Sequence, residues 1–343
     1  MAAYTTIDDP EAYFQTVLYT SDNNGGSPST KAITLDADTD LQPDLVWIKS
    51  RTEVDGHSMY DSVRGVTKEL RSDTNDAEAT SATSLTAFGS DGFTVGTDDR
   101  VRRDGATDKY VAWCWKESVT AGFDIVSYTG NDTARTIAHS LSAVPKVIMP
   151  KSRSDAYEWR LYHAGNTSAP ETDFIVLNEN YATTDQANAW NDTAPTSSVF
   201  SLGTGETPNN DGTTYITYLW AEKQGFSKFG SYTGNGSTTS NFIHLGFKPA
   251  WLMIKNTAST QPWLVFNNKS FPFNGPVRYS HPNNSDAEGG YDGSFYDYID
   301  LLSNGFCLTD NSAYINSSGV NYIYMAFAEA PFVNSNGVPC NAR

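Results

Sequence analysis

Pro43-Asp44-Leu45-Val46-Trp47-Ile48-Lys49-Ser50-Arg51 is a proline followed by a short apolar run closed by a lysine, and the chain carries it twice more. Pro145-Lys146-Val147-Ile148-Met149-Pro150-Lys151-Ser152-Arg153 is the second copy and Pro249-Ala250-Trp251-Leu252-Met253-Ile254-Lys255-Asn256-Thr257 the third, spaced 102 and 104 residues apart. A run rich in β-branched and aromatic residues reads as a strand buried on both faces, and the proline, which donates no ladder hydrogen bond, marks its start. The repeat predicts one unit used three times.

Other strand signals keep the same order around it. Each unit opens on a strand, Phe14 to Thr20, Phe123 to Thr129 and Phe226 to Thr233, the first alternating enough to be half-buried; Asp22 to Ser27 is a polar loop. The second and third opening strands run into Tyr-Thr-Gly-Asn, where Gly and Asn supply the positive φ of a tight turn. A second strand leads into the proline-led one: Ala32 to Leu35, Thr136 to Leu141, Asn241 to Leu245. Later come Gly92 to Gly96, Val199 to Gly203 and Gly305 to Thr309, and each unit closes on paired aromatics: Tyr110 to Trp115, Tyr215 to Glu222, Tyr322 to Glu329.

About seven short strands per unit, with turn clusters and no long helical period, is the pattern of an antiparallel sandwich. The expected fold is all-β, three tandem antiparallel β-sandwich (jelly-roll-like) units of about 100 residues, longer than the period of a solenoid or propeller blade. The expected boundaries are an arm at 1–13, units at 14–116, 122–222 and 225–332, and a tail at 333–343. The joints, Lys116 to Thr120 and Lys223 to Gly225, are too short for free linkers and imply a packed row. Trp47, Trp251, Trp113, Trp220 and Phe327 are the expected core.

The 343 residues carry a formal charge of −17, with 19 Tyr, 17 Phe and 8 Trp. Such a surface repels a phosphate backbone, so no nucleic-acid partner is expected; it suits a secreted, halotolerant or densely assembled protein. Cys114, Cys307 and Cys340 occupy unrelated places, so no disulfide framework is implied, and Cys114 reads as a small core residue. The polar start lacks the basic and apolar regions of a signal peptide, and no stretch is long enough for a membrane span. The expectation is synthesis in a cytoplasm without membrane insertion.

Candidate chemistry is sparse. Asp36-Ala37-Asp38-Thr39-Asp40 has the first spacings of a calcium loop, but an EF-hand needs glycine and a twelfth-position glutamate where Leu41 and Trp47 stand, so it reads as a solvated acidic turn. His57 with Asp55 and Asp61, and His163 near Glu158, resemble acid/base pairs that the third unit, with Trp263, does not repeat. His139 and His244 sit on the matching second strand without metal-site spacing. No nucleophile elbow, phosphate loop or dinucleotide fingerprint appears. No catalytic residue, cofactor or metal is expected. Val101-Arg102-Arg103-Asp104 and Arg64 to Arg71 are expected to pair with acidic neighbours. The third unit's middle, Phe271 to Tyr298, sets Phe273, Tyr279, Tyr291, Phe295, Tyr296 and Tyr298 among Gly, Asn and Asp, as rings that stack on a glycan or plug a partner subunit do. Core packing beneath the loop is the competing reading.

The opening Tyr4-Thr5-Thr6-Ile7-Asp8-Asp9-Pro10 with Tyr13-Phe14, the run Pro43 to Arg51, Tyr60-Asp61-Ser62-Val63-Arg64-Gly65, Leu85 to Gly96, Tyr110 to Trp115 and the ending Tyr322 to Phe332 resemble virion structural proteins of tailed phages infecting marine bacteria. The resemblance implies a non-enzymatic virion component, a tail-fibre or receptor-binding subunit or a head decoration, and brings no catalytic residues. It also implies other virion proteins as partners and a host surface glycan as a contact. Termini that want a neighbour and the symmetry of phage appendages point to a homo-oligomer, a trimer first. A glycan depolymerase or a secreted lectin is the alternative.

Overall fold

The three proline-led stretches lie at corresponding places in three antiparallel sheets. The computed structural model describes residues 3–21, 29–103, 106–204, 207–275, 277–289 and 297–339, which are nearly all β. In the first segment the hydrogen-bonded order is Phe14–Thr20, Lys109–Trp115, Leu45–Ser50, Ser58–Asp61. In the second it is Phe123–Thr129, Thr214–Trp220, Val147–Ser152, Arg160–His163, extended by Asp173–Val176 and Thr184–Asp185. In the third it is Ser227–Thr233, Asn321–Pro331, Phe247–Asn256, Leu264–Asn267. The opening strand pairs with the closing strand, the closing with the proline-led, the proline-led with a hairpin partner, and the order recurs three times.

The proline-led strands are buried along their whole length in the first two segments, because each sheet packs against something on both faces. In the first segment Val46, Ile48, Tyr110 and Ala112 meet Ile33, Phe93, Val95 and Leu85 of a smaller sheet. The alternate residues Trp47, Trp113 and Trp115 face away, into a cluster shared with Phe123, Trp220, Trp251 and Phe327 from the other segments. There Trp115 meets Trp251 edge-on at 5.7 Å between ring centroids and Trp220 at 6.4 Å, while Phe14 stacks on Phe327 at 5.2 Å. All five expected core rings are buried. Phe14–Thr20, expected to be half-buried, is buried over its first four residues, since its outward face lies against the third segment.

The prolines behave in three ways. Pro43 and Pro145 precede their strands by two residues, as expected. Pro249 instead lies inside Phe247–Asn256, where the pairing with the closing strand shifts register between Lys248, Pro249 and Trp251; a residue with no N–H is accommodated at such a bulge. Pro150 stands inside Val147–Ser152, whose hairpin pairing stops at Ile148 where the first copy carries four pairs.

The segments close a ring instead of forming the row expected from the short joints. Glu78 N–H donates to Arg153 O at 2.8 Å, Thr183 N–H to Thr257 O at 2.9 Å and Glu288 N–H to Arg51 O at 3.0 Å. The donors are 105 residues apart each time, and the third bond joins the last segment to the first. The arm strengthens that seam: Tyr4 Oη donates to Gly246 O at 2.8 Å, Thr5 Oγ1 to Gln224 O at 2.8 Å, and Ser335 N–H to Asp8 Oδ1 at 2.6 Å.

Candidate functional site

The side chains that the repeat singles out meet at the interfaces between segments. Lys49, Lys151 and Lys255 end the proline-led strands and are fully buried. Each ammonium caps its own turn and reaches a loop of the preceding segment in the ring. Lys151 Nζ donates to Ser152 O at 3.0 Å and Asn75 O at 3.1 Å; Lys255 Nζ to Asn256 O at 2.6 Å and Asn180 O at 3.3 Å; Lys49 Nζ to Ser50 O at 2.7 Å and Ser285 O at 3.4 Å. Loss of water lowers Lys49 to about 8 and Lys151 and Lys255 to about 7, because carbonyl dipoles replace hydration only in part.

Eight residues after each lysine stands a ring that donates an N–H across the same interface. Trp159 Nε1 donates to Arg71 O at 2.7 Å, Trp263 Nε1 to Val176 O at 3.0 Å, and His57 Nε2 lies 3.0 Å from His281 O. His57 accepts from Trp47 Nε1 on its other nitrogen at 2.9 Å, so it is neutral with Nε2 protonated, and burial holds it well below its ordinary range. His163, lowered by burial to about 4, spans the next interface to Tyr324 O at 3.0 Å. Both histidines therefore act as fixed donors between segments, and neither forms the acid/base pair the sequence suggested. His139 stands at the end of the strand Arg135–Ala138, its Nε2 3.2 Å from Thr196 O.

Of the arginines expected to pair with acidic neighbours, Arg64, Arg71 and Arg103 find carboxylates. Arg51 Nε meets Glu288 and Arg153 Nε meets Glu78, each at 2.8 Å across an interface, where the remaining one has Thr257 and Thr183. Arg64 pairs with Asp61, whose carboxylate also accepts from Tyr218 Oη of the next segment at 2.7 Å. Arg103 gathers Glu53, Asp55, Asp99 and Asp108 within 3.5 Å. The acidic turn at Asp36 is tied off by Lys269 at 3.0 Å, and Thr39 Oγ1 donates to Asp9 at 2.6 Å. Among the described residues no group of three His, Cys, Asp or Glu is placed to hold a metal.

The aromatic loop divides. Tyr279 packs edge-on to His281 at 5.2 Å and beside Tyr298 at 5.5 Å, and Tyr298 is buried against Tyr314. These two rings follow the core-packing reading. Phe273 is 81% exposed and is the one described ring of the set that offers a free face. Tyr291, Phe295 and Tyr296 lie outside the described residues.

Two depressions among the described residues lie between segments. A crevice of about 20 Å³ at the seam is lined by Glu11, Gln15, Asp36, Lys269 and Glu329. A groove of about 280 Å³ separates the second and third segments. Among the described residues no helix is long and apolar enough to cross a membrane. A comparison with curated proteins finds no match. The family model described as a domain of unknown function (DUF7483) matches residues 9–331, all three segments together, and the chain belongs to that family.

Proposed function

We propose that this DUF7483 protein is a non-enzymatic structural component of a virion, a tail-fibre or receptor-binding subunit or a head decoration, built to assemble with other virion proteins and to meet a host surface. The observation that carries the reading is the ring. The side chains with reactive potential, three buried lysines and two buried histidines, hold segment to segment, which is the use expected in a rigid building block. The repeated sandwich unit, three times over in one chain, supplies internally a threefold-like arrangement that separate subunits otherwise provide. Association of whole chains, a trimer first, is part of the same proposal and uses surfaces outside the three internal interfaces.

The test is location. An antibody against the purified chain, applied to purified phage particles and viewed by electron microscopy, is expected to mark fixed positions on head or tail at constant copy number. Particles free of the chain, together with turnover of host polysaccharide that one carboxylate substitution abolishes, overturn the proposal in favour of an enzyme. Sedimentation at micromolar concentration is expected to show an oligomer; a monomer removes the trimer.

A further inference from the structure

Two positions of the repeat carry side chains across interfaces, and at each of them one copy out of three has a histidine. In the position eight residues after the repeat lysine, His57 reaches His281 O of the third segment, while Trp159 and Trp263 serve the other two interfaces. At the end of the hairpin strand, His163 reaches Tyr324 O of the third segment, where the first copy has Asp61, bound to Tyr218, and the third has Asn267. Each of the third segment's two interfaces is therefore bridged by one imidazole. The interface between the first and second segments has Trp159 and Asp61 at these positions instead.

Two hydrogen bonds lock each imidazole in its neutral form. His57 Nδ1 accepts from Trp47 Nε1 at 2.9 Å and His163 Nδ1 accepts from the Gly165 N–H at 3.0 Å. In each ring Nε2 therefore carries the proton and donates across the interface at 3.0 Å. A second proton can add only at Nδ1, where it expels the N–H already bound and leaves a cation in a site closed to solvent, since the two residues are 0% and 1% exposed. Loss of water is the main reason His57 lies well below its ordinary range and His163 at about 4. Lys49 and His281 beside His57, and Lys146 beside His163, oppose the incoming charge as well, while Asp73 accepts the His57 backbone N–H at 2.8 Å.

We propose that mild acid releases the third segment from both its neighbours while the first and second stay joined: a proton from solvent adds to Nδ1 of His57 and of His163, and the two histidine bridges break. The segment stays tethered through Lys223 to Gly225 and exposes its share of the central aromatic cluster, Trp251 and Phe327. In the closed ring His163 takes a proton only near 4, whereas once released it does so at the ordinary 6.5. The closed form is therefore fully favoured above 6.5 and loses ground as pH falls from there toward 4. Between about pH 7.5 and about pH 5 the released fraction rises on the order of tenfold. Arg153 and Glu78, 2.8 Å apart, and the indole of Trp159 keep the first interface shut. The inference rests on the interfaces alone and does not depend on a place in a virion.

Three equivalent amides report the three interfaces: Glu78 N–H for the first with the second segment, Thr183 N–H for the second with the third, and Glu288 N–H for the third with the first. Hydrogen exchange of the full chain at about pH 7.5 and about pH 5, corrected for the intrinsic pH dependence of exchange, is expected to show Thr183 and Glu288 opening on the order of tenfold more often in acid, with Glu78 unchanged. His163→Gln and His57→Gln each keep a side-chain N–H donor that takes up no proton, and each is expected to weaken the acid response at its own interface. Should either variant fail to fold, the pattern of the three amides in the unaltered chain decides. An equal response at all three amides, no response at Thr183 and Glu288, or a full response retained in both variants overturns the proposal.

Discussion

A lysine sealed among backbone carbonyls is held charged by their dipoles and pushed toward neutrality by the water it has lost. In Lys49, Lys151 and Lys255 the second effect prevails, with folded values of about 8, 7 and 7 against an ordinary 10.5. Between those values and 10.5 the unfolded chain binds more protons than the folded one, so stability rises with pH across that window and the full penalty stands below it. Calorimetry is expected to give a higher Tm at about pH 9.5 than at about pH 7.5, with a shallower rise in Lys255→Met; an identical slope in the variant refutes the assignment. The centre of the ring gives a second prediction at this scale. Trp115 touches Phe14, Trp220, Trp251 and Phe327, so Trp115→Ala is expected to lower denaturant stability by about 3–5 kcal/mol. Of the residue-level facts, burial of the tryptophans was legible in their places within apolar runs. The role of His57 was hidden by comparing it with His163; its true counterparts, at equal distance from the repeat lysine, are Trp159 and Trp263, which share with it only an N–H on a ring.

At the level of strands and loops, the order of signals along each copy foretold the order of pairing, because a buried strand needs an apolar run on both faces and the runs stand alone between polar turns. What could not be read was the loop that receives each lysine. Asn75, Asn180 and Ser285 offer backbone carbonyls, and a carbonyl leaves no trace in side-chain pattern. The Arg51–Glu288 pair, both side chains nearly buried, tests how such an interface is held. Glu288→Gln alone removes the buried negative charge that faces both Arg51 and Arg278 and is expected to cost about 3–5 kcal/mol, whereas Arg51→Met with Glu288→Met is expected to recover part of the loss. A double-mutant cycle by chemical denaturation measures both, and a double variant as unstable as the single one contradicts the account.

The three segments form a closed circuit in which residues 4–8 meet the third segment. Joints at Lys116 to Thr120 and Lys223 to Gly225 connect two interfaces covalently, and the third is joined by Tyr4, Thr5 and Asp8 binding Gly246, Gln224 and Ser335. A chain cut at Val119, which is exposed, and relinked through its old termini is therefore expected to fold, with circular dichroism and Tm close to the original; failure to fold makes the arm more than a fastening. Closure was beyond the reach of the sequence for a physical reason. Short joints fix neighbours along the chain, while contact between first and last segments depends on curvature, which three similar interfaces set only when all are in place.

The arm has one more consequence, in time instead of space. Tyr4 and Thr5 leave the ribosome well ahead of Gln224 and Gly246, which follow more than two hundred residues later. At roughly 5–20 residues per second, translation keeps the arm waiting tens of seconds for its seat. A chain released early never fastens, so the finished molecule carries in its own lock a record that synthesis ran far enough to supply the third segment, and truncated products are left open to proteases.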